Sequence, residues 1–179
     1  MGIIVDLIKS GKLKELKTQI FGQKLDESSK GTFTASLSEK EENALTEMAL
    51  ASEQDGWKYM MCQYMSHYTP FNSSLALMIE HLELKHSQEM LIAGAKKWGF
   101  APHILVQLCK KAVANNCKEV TPALEAYIKE PHHIVFNPEI CSALAGFDQM
   151  ADSTFAKQYE AVVKKPEEEV KKAEEAQKA

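Results

Sequence analysis

Arginine is absent from this chain: all 21 basic side chains are lysines. The chain therefore lacks the planar guanidinium fork that grips phosphate, guanine or carboxylate at two points. With a formal net charge of -4, this counts against a dedicated nucleic-acid binder. Long apolar runs are also missing, and none approaches the ~20 residues needed to cross a bilayer. The first residues lack the basic start, apolar centre and small-residue cleavage site of a secretory leader. Met1-Gly2 opens like a myristoylation signal, but Asp6 stands where that motif wants Ser or Thr. Cysteine is sparse. Cys62, Cys109, Cys117 and Cys141 form no C-x-x-C pair and no zinc-type spacing, so buried free thiols in a reducing, intracellular, cytoplasmic setting are expected.

Catalytic signatures are missing as well. There is no glycine-rich phosphate loop, no nucleophile elbow and no tandem cysteine site. No catalytic residue and no cofactor is therefore expected.

What the sequence does contain is helical periodicity. With 45% hydrophobic and 26% charged residues, the chain suits an ordinary globular domain. Residues 1–21 read as two short amphipathic helices joined at Gly11, a helical hairpin. Residues 22–37, rich in Gly, Ser and Thr, read as a loop. Ser38 and Glu41 then form a capping box that starts a helix running towards Asp55-Gly56, read as a turn or helix interruption. In the next segment Trp57, Met60, Met61, Tyr64 and Met65 fall on one face, which is the spacing of a core stripe. Asn72 or Ser73 is expected to cap the helix after Pro70, and Pro102 to open the one after Trp98-Gly99. Asn115-Asn116 suits a helix end, and Thr121-Pro122 and Asn137-Pro138 read as paired cap-and-proline starts. Residues 166–179 form a low-complexity charged tail with i, i+4 pairs such as Glu167 with Lys171.

The turn signals recur. Gly56, His86 and Asn116 lie at thirty-residue intervals, with Asp152-Ser153 following, and each sits between two apolar helical segments. Such periods point to stacked helical hairpins, because one hairpin cannot bury its apolar face alone. In period the chain resembles the ankyrin and pentatricopeptide repeat families, and the resemblance implies an architecture without carrying over any functional residue. The expected fold is all-α: a short right-handed stack of helical hairpins over residues 38–165, with an irregular helical bundle as the alternative. One continuous helix from Asn72 to Trp98 would suit the bundle better than the repeat.

Three functional readings follow. Stacked hairpins build an extended groove, so the first is a non-catalytic protein-binding module, an adaptor or accessory subunit of a larger assembly, anchored by Trp57, Tyr59, Tyr64, Tyr68 and Trp98. The second is an RNA-binding repeat using Lys96, Lys97, Lys110 and Lys111. The third rests on the stretch EHLELKH. Glu83-x-x-His86 has the spacing of a ferritin-like di-metal ligand pair, and Glu53 lies where a carboxylate of the preceding helix would stand. The second half of such a ligand set is missing. On a continuous helix His86 faces inward, and a hydrogen-bonded structural role is the alternative for it.

Overall fold

Ser38 begins the best-defined helix as its sequence requires. In the computed structural model its hydroxyl accepts from the Glu41 amide at 3.2 Å, and the Glu41 carboxylate accepts from the Ser38 amide at 2.8 Å. The structure describes residues 3–21, 37–129 and 136–163. The loop expected over residues 22–37 lies almost wholly outside them, and the charged tail lies outside them entirely.

The described residues form helices α1 (Ile3–Lys9), α2 (Leu13–Phe21), α3 (Glu39–Ala51), α4 (Asp55–Met65), α5 (Asn72–Glu80), α6 (Lys85–Trp98), α7 (Pro102–Asn115), α8 (Thr121–Lys129) and α9 (Pro138–Ala151). A tenth, α10, covers residues 155–163. No strand occurs among the described residues, and no described helix is long and apolar enough to cross a membrane. The fold is all-α.

The chain divides into two compact units, Met1–Trp98 and Gly99–Ala179, a boundary inside the segment read from sequence as one repeat domain. In the first unit α1 packs on α3 and α3 on α5, while α2 packs on α4 and α4 on α6. First helix thus meets first helix and second meets second, the packing of hairpin on hairpin. In the second unit α7 packs on α9, again first helix on first. Gly56 allows one of these contacts. A Cβ there would sit 2.6 Å from a Leu13 methyl, so its missing side chain lets α2 lie close on α4. Asp55-Gly56 opens α4, directly after the interruption at residues 52–54.

Apolar side chains of both helices in each hairpin fill the interior. Leu45, Met60, Met61, Met78, Leu82, Met90 and Leu91 are buried in the first unit, and Leu105, Leu108, Ala112, Leu124, Ile140 and Phe147 in the second. Helix ends follow local chemistry in most places. Asn116 and Asp152 end α7 and α9 in the left-handed region, with φ of 51° and 54°. Asn137 caps α9 by accepting from the Glu139 and Ile140 amides.

Three expectations are corrected. Asn72 and Ser73 do not cap α5. Phe71 holds the cap position, and its amide is bound by Glu42 of α3, whose carboxylate reaches it at 2.8 Å. Thr121 is the first residue of α8, and its hydroxyl donates backwards to the Lys118 carbonyl at 2.6 Å. The helix from Asn72 to Trp98 is not continuous. It breaks over residues 81–84, where His81 leaves helical geometry at φ −107° and ψ 39°.

Candidate functional site

The break falls within EHLELKH and decides its role. Glu80 ends α5, residues 81–84 form the turn, and His86 lies in the first turn of α6. Side chains from this end of α6 satisfy carbonyls that the break leaves open. Ser87 donates to the Met78 carbonyl, and Gln88 donates to that of Leu82 at 3.0 Å. Without these donors α5 would end with buried, unpaired carbonyls, which is why a sequence with no Gly or Pro here can still turn.

His86 does not face Glu83. Its Nδ1 lies 3.1 Å from the Ala49 carbonyl in the last turn of α3, and its Nε2 lies 2.9 Å from the Asp55 carboxylate in the first turn of α4. Glu83 is exposed in the turn, 3.8 Å from His81, and Glu53 is exposed between α3 and α4. Glu53, Glu83 and His86, the residues of the metal reading, are therefore not brought together. The helix break turns Glu83 away from His86, and no cluster of three His, Cys, Asp or Glu able to hold an ion exists among the described residues.

Around Asp55 a small charged network forms. The His86 hydrogen bond and then the Lys58 ammonium, 3.8 Å away, hold the Asp55 carboxyl below its usual range. Lys58 is itself buried and pairs with Glu89 of α6, which raises its pKa. Its ammonium also sits 4.4 Å from the centre of the Tyr59 ring. The network joins α4 to α6.

Of the aromatic anchors expected at a partner surface, Trp57 is 2% exposed and Tyr64 1% exposed, so both belong to the core. The Met and aromatic stripe of α4 faces inward, and the two large rings go with it. Tyr59 alone of the five is well exposed, at 61%. Tyr68 is half-buried and stacks on Tyr64 at 5.2 Å, and half-buried Trp98 donates its indole N–H to the Met65 carbonyl. Among the four lysines of the RNA reading, Lys96, Lys97 and Lys110 are exposed and Lys111 is half-buried. They fall two in each unit.

Two open grooves among the described residues are concave features on which a ligand can sit. One, of ≈ 260 Å³, lies between α3 and α5 and is lined by Glu47, Leu50, Ala51, Leu77, His81 and Leu84. The other, of ≈ 330 Å³, lies between α7 and α9 and is lined by Cys109, Lys110, Val113, Glu139, Ser142, Ala143 and Gly146. Each occupies the same place in its unit, between the first helices of two successive hairpins. Both combine an apolar lining with charged groups: Glu47 in one, Lys110 and Glu139 in the other. A Cβ built on Gly146 meets nothing within 4 Å, so the α9 wall is open there. Apart from Lys110, named for the RNA reading, none of these residues was a binding candidate in the sequence. Their one signal was the run of small residues Ser142, Ala143 and Gly146 on α9, where larger apolar side chains would fill the space.

Burial pushes the Cys109 thiol of the second groove up to about 12 and the Cys62 thiol of α4 up to about 11, so both stay protonated at neutral pH. Comparison with family models, with curated proteins and with solved structures gave no match.

Proposed function

We propose that this protein is a non-catalytic protein-binding module, an adaptor or accessory subunit that takes segments of a partner protein in the grooves between the first helices of its hairpins. The observation that carries this reading is the recurrence of the groove. In both units the first helices of neighbouring hairpins leave an open apolar channel with charged residues in its lining. Half-buried leucines and an exposed valine line these channels, with Leu77 and Leu84 in one and Val113, 41% exposed, in the other. Apolar groups left partly wet in a concave site gain most from a partner that covers them.

The reading is tested with the complex isolated from the organism of origin. Val113→Glu and Gly146→Leu place a charge and a bulky side chain in the second groove. Val162→Glu, on α10 outside the groove and 39% exposed, is the control. The expected result is that both groove substitutions weaken partner binding roughly tenfold or more, a loss of about 1.4 kcal/mol, while the control does not. A complex that survives both groove substitutions in the second unit and Leu77→Glu in the first overturns the reading.

A further inference from the structure

We infer that His86 is a proton-dependent clasp that fastens the α3–α4 turn onto α6 while its ring carries two protons. The argument begins from the acceptors it faces. Nδ1 lies 3.1 Å from the carbonyl oxygen of Ala49, which has no proton to give. Nε2 lies 2.9 Å from the carboxylate of Asp55, which is ionised and likewise only accepts. A neutral imidazole carries one N–H. Either neutral tautomer leaves a bare ring nitrogen pointed at an oxygen lone pair. Only the imidazolium donates to both.

The clasp joins three helix ends. Ala49 is in the last turn of α3, where carbonyls lack intrahelical partners and a cation is favoured by the helix dipole. Asp55 is in the first turn of α4, where a carboxylate is favoured for the opposite reason. His86 reaches both from α6, the second helix of the next hairpin. One ring thus spans the Ser52–Gln54 turn and ties the first hairpin of the pair to the second. The charged groups around it are Asp55 and Lys58 from α4 and Lys85 and Glu89 from α6, while from α3 it meets the Ala49 carbonyl. Glu89 is engaged by Lys58, which leaves Asp55 as the carboxylate paired with the ring.

Histidine is the side chain whose ordinary charge change falls between about pH 5 and 8. When the ring loses a proton, one of its nitrogens is left bare against an oxygen and that hydrogen bond is given up. The ring then no longer ties both the α3 end and the α4 start to α6.

Asp55→Asn separates this clasp from an ordinary structural histidine. An asparagine amide donates to a neutral Nε2, so the variant holds the ring without the second proton. The experiment measures urea midpoints of the wild type, Asp55→Asn, His86→Gln and the double variant from pH 5.5 to 8.5, with long-range nitrogen spectra of the ring. The expected result is a crossing. The wild type is the more stable of the first pair at pH 5.5 and Asp55→Asn at pH 8.5, with both ring nitrogens protonated in the wild type at the acid end and one alone at the alkaline end. Asp55→Asn added to His86→Gln produces no such crossing with His86→Gln alone. Parallel wild-type and Asp55→Asn profiles, or a ring already singly protonated at pH 5.5, overturn the inference.

Discussion

Glu42 is the residue that sequence reasoning had least reason to notice and that the fold uses most. It is completely buried, yet it is a carboxylate. One oxygen accepts from the Phe71 amide at 2.8 Å and from the Ser74 hydroxyl at 2.6 Å, so α3 caps the start of α5. The other oxygen is buried with no hydrogen-bond partner among the described residues. Desolvation outweighs the two hydrogen bonds and raises its pKa. The sign of the pH effect follows. A carboxyl whose folded pKa is raised contributes stability that is fully present below the unfolded carboxylate range and is lost as pH rises through the folded value. Glu42→Gln keeps an oxygen for Phe71 and Ser74 and removes the ionisation. Its urea midpoint is expected to lack the decline that the wild type shows as pH rises above about 4.5, the ordinary glutamate value. Glu42→Ala instead strands the Phe71 amide, and a loss of about 1–3 kcal/mol is expected. At the same scale, thiol labelling at pH 8 is expected to spare Cys109 in the native protein and to reach it only on unfolding, because its thiol is held near 12.

At the scale of elements, two hairpins are closed by the same device. The Tyr64 hydroxyl in α4 accepts from the Leu37 amide just before α3, at 2.9 Å, and the Tyr159 hydroxyl in α10 accepts from the Asn137 amide just before α9, at 3.1 Å. Two hairpins, one in each unit, are thus pinned in the same way, second helix to the approach of the first. Burial raises both phenols, so they remain protonated at neutral pH. Tyr64→Phe and Tyr159→Phe are each expected to cost about 0.5–1.5 kcal/mol, with faster hydrogen exchange at the Leu37 and Asn137 amides respectively. Asp148 of α9 closes the last hairpin by accepting from the Phe155 and Ala156 amides. Gly146, inside α9 with open space beside it, offers the opposite test: Gly146→Ala is expected to stabilise the protein by roughly 0.5–1 kcal/mol.

The same scale shows what the sequence made legible. Ser38 with Glu41, Pro102, Asn116 and Asn137-Pro138 act within a few residues of themselves, and each start or stop stands where its chemistry predicts. Of the recurrence points, Gly56 and His86 fall in the first turns of α4 and α6, just after the breaks at residues 52–54 and 81–84. What stayed hidden depends on distant partners. Glu42 with Phe71, His86 with Ala49 and Asp55, and Lys58 with Glu89 are 29 to 37 residues apart in sequence and meet only in the folded chain. The Thr121 error has a local cause: a hydroxyl before proline can donate backwards as well as accept forwards.

For the whole molecule, the grooves between first helices recur in both units. The expected anchors Trp57 and Tyr64 lie in the core because the stripe that carries them faces inward. The proposed binding role therefore rests on the groove residues, and photo-crosslinking tests it. A photoreactive side chain is placed in turn at Val113 and Leu77, which line the two grooves, and at Tyr59 and Val162, which are exposed outside them. In the organism of origin, crosslinks from Val113 or Leu77 to one defined partner protein, with none to that partner from Tyr59 or Val162, are the predicted result. A partner captured from Tyr59 or Val162 and from neither groove position would contradict the account.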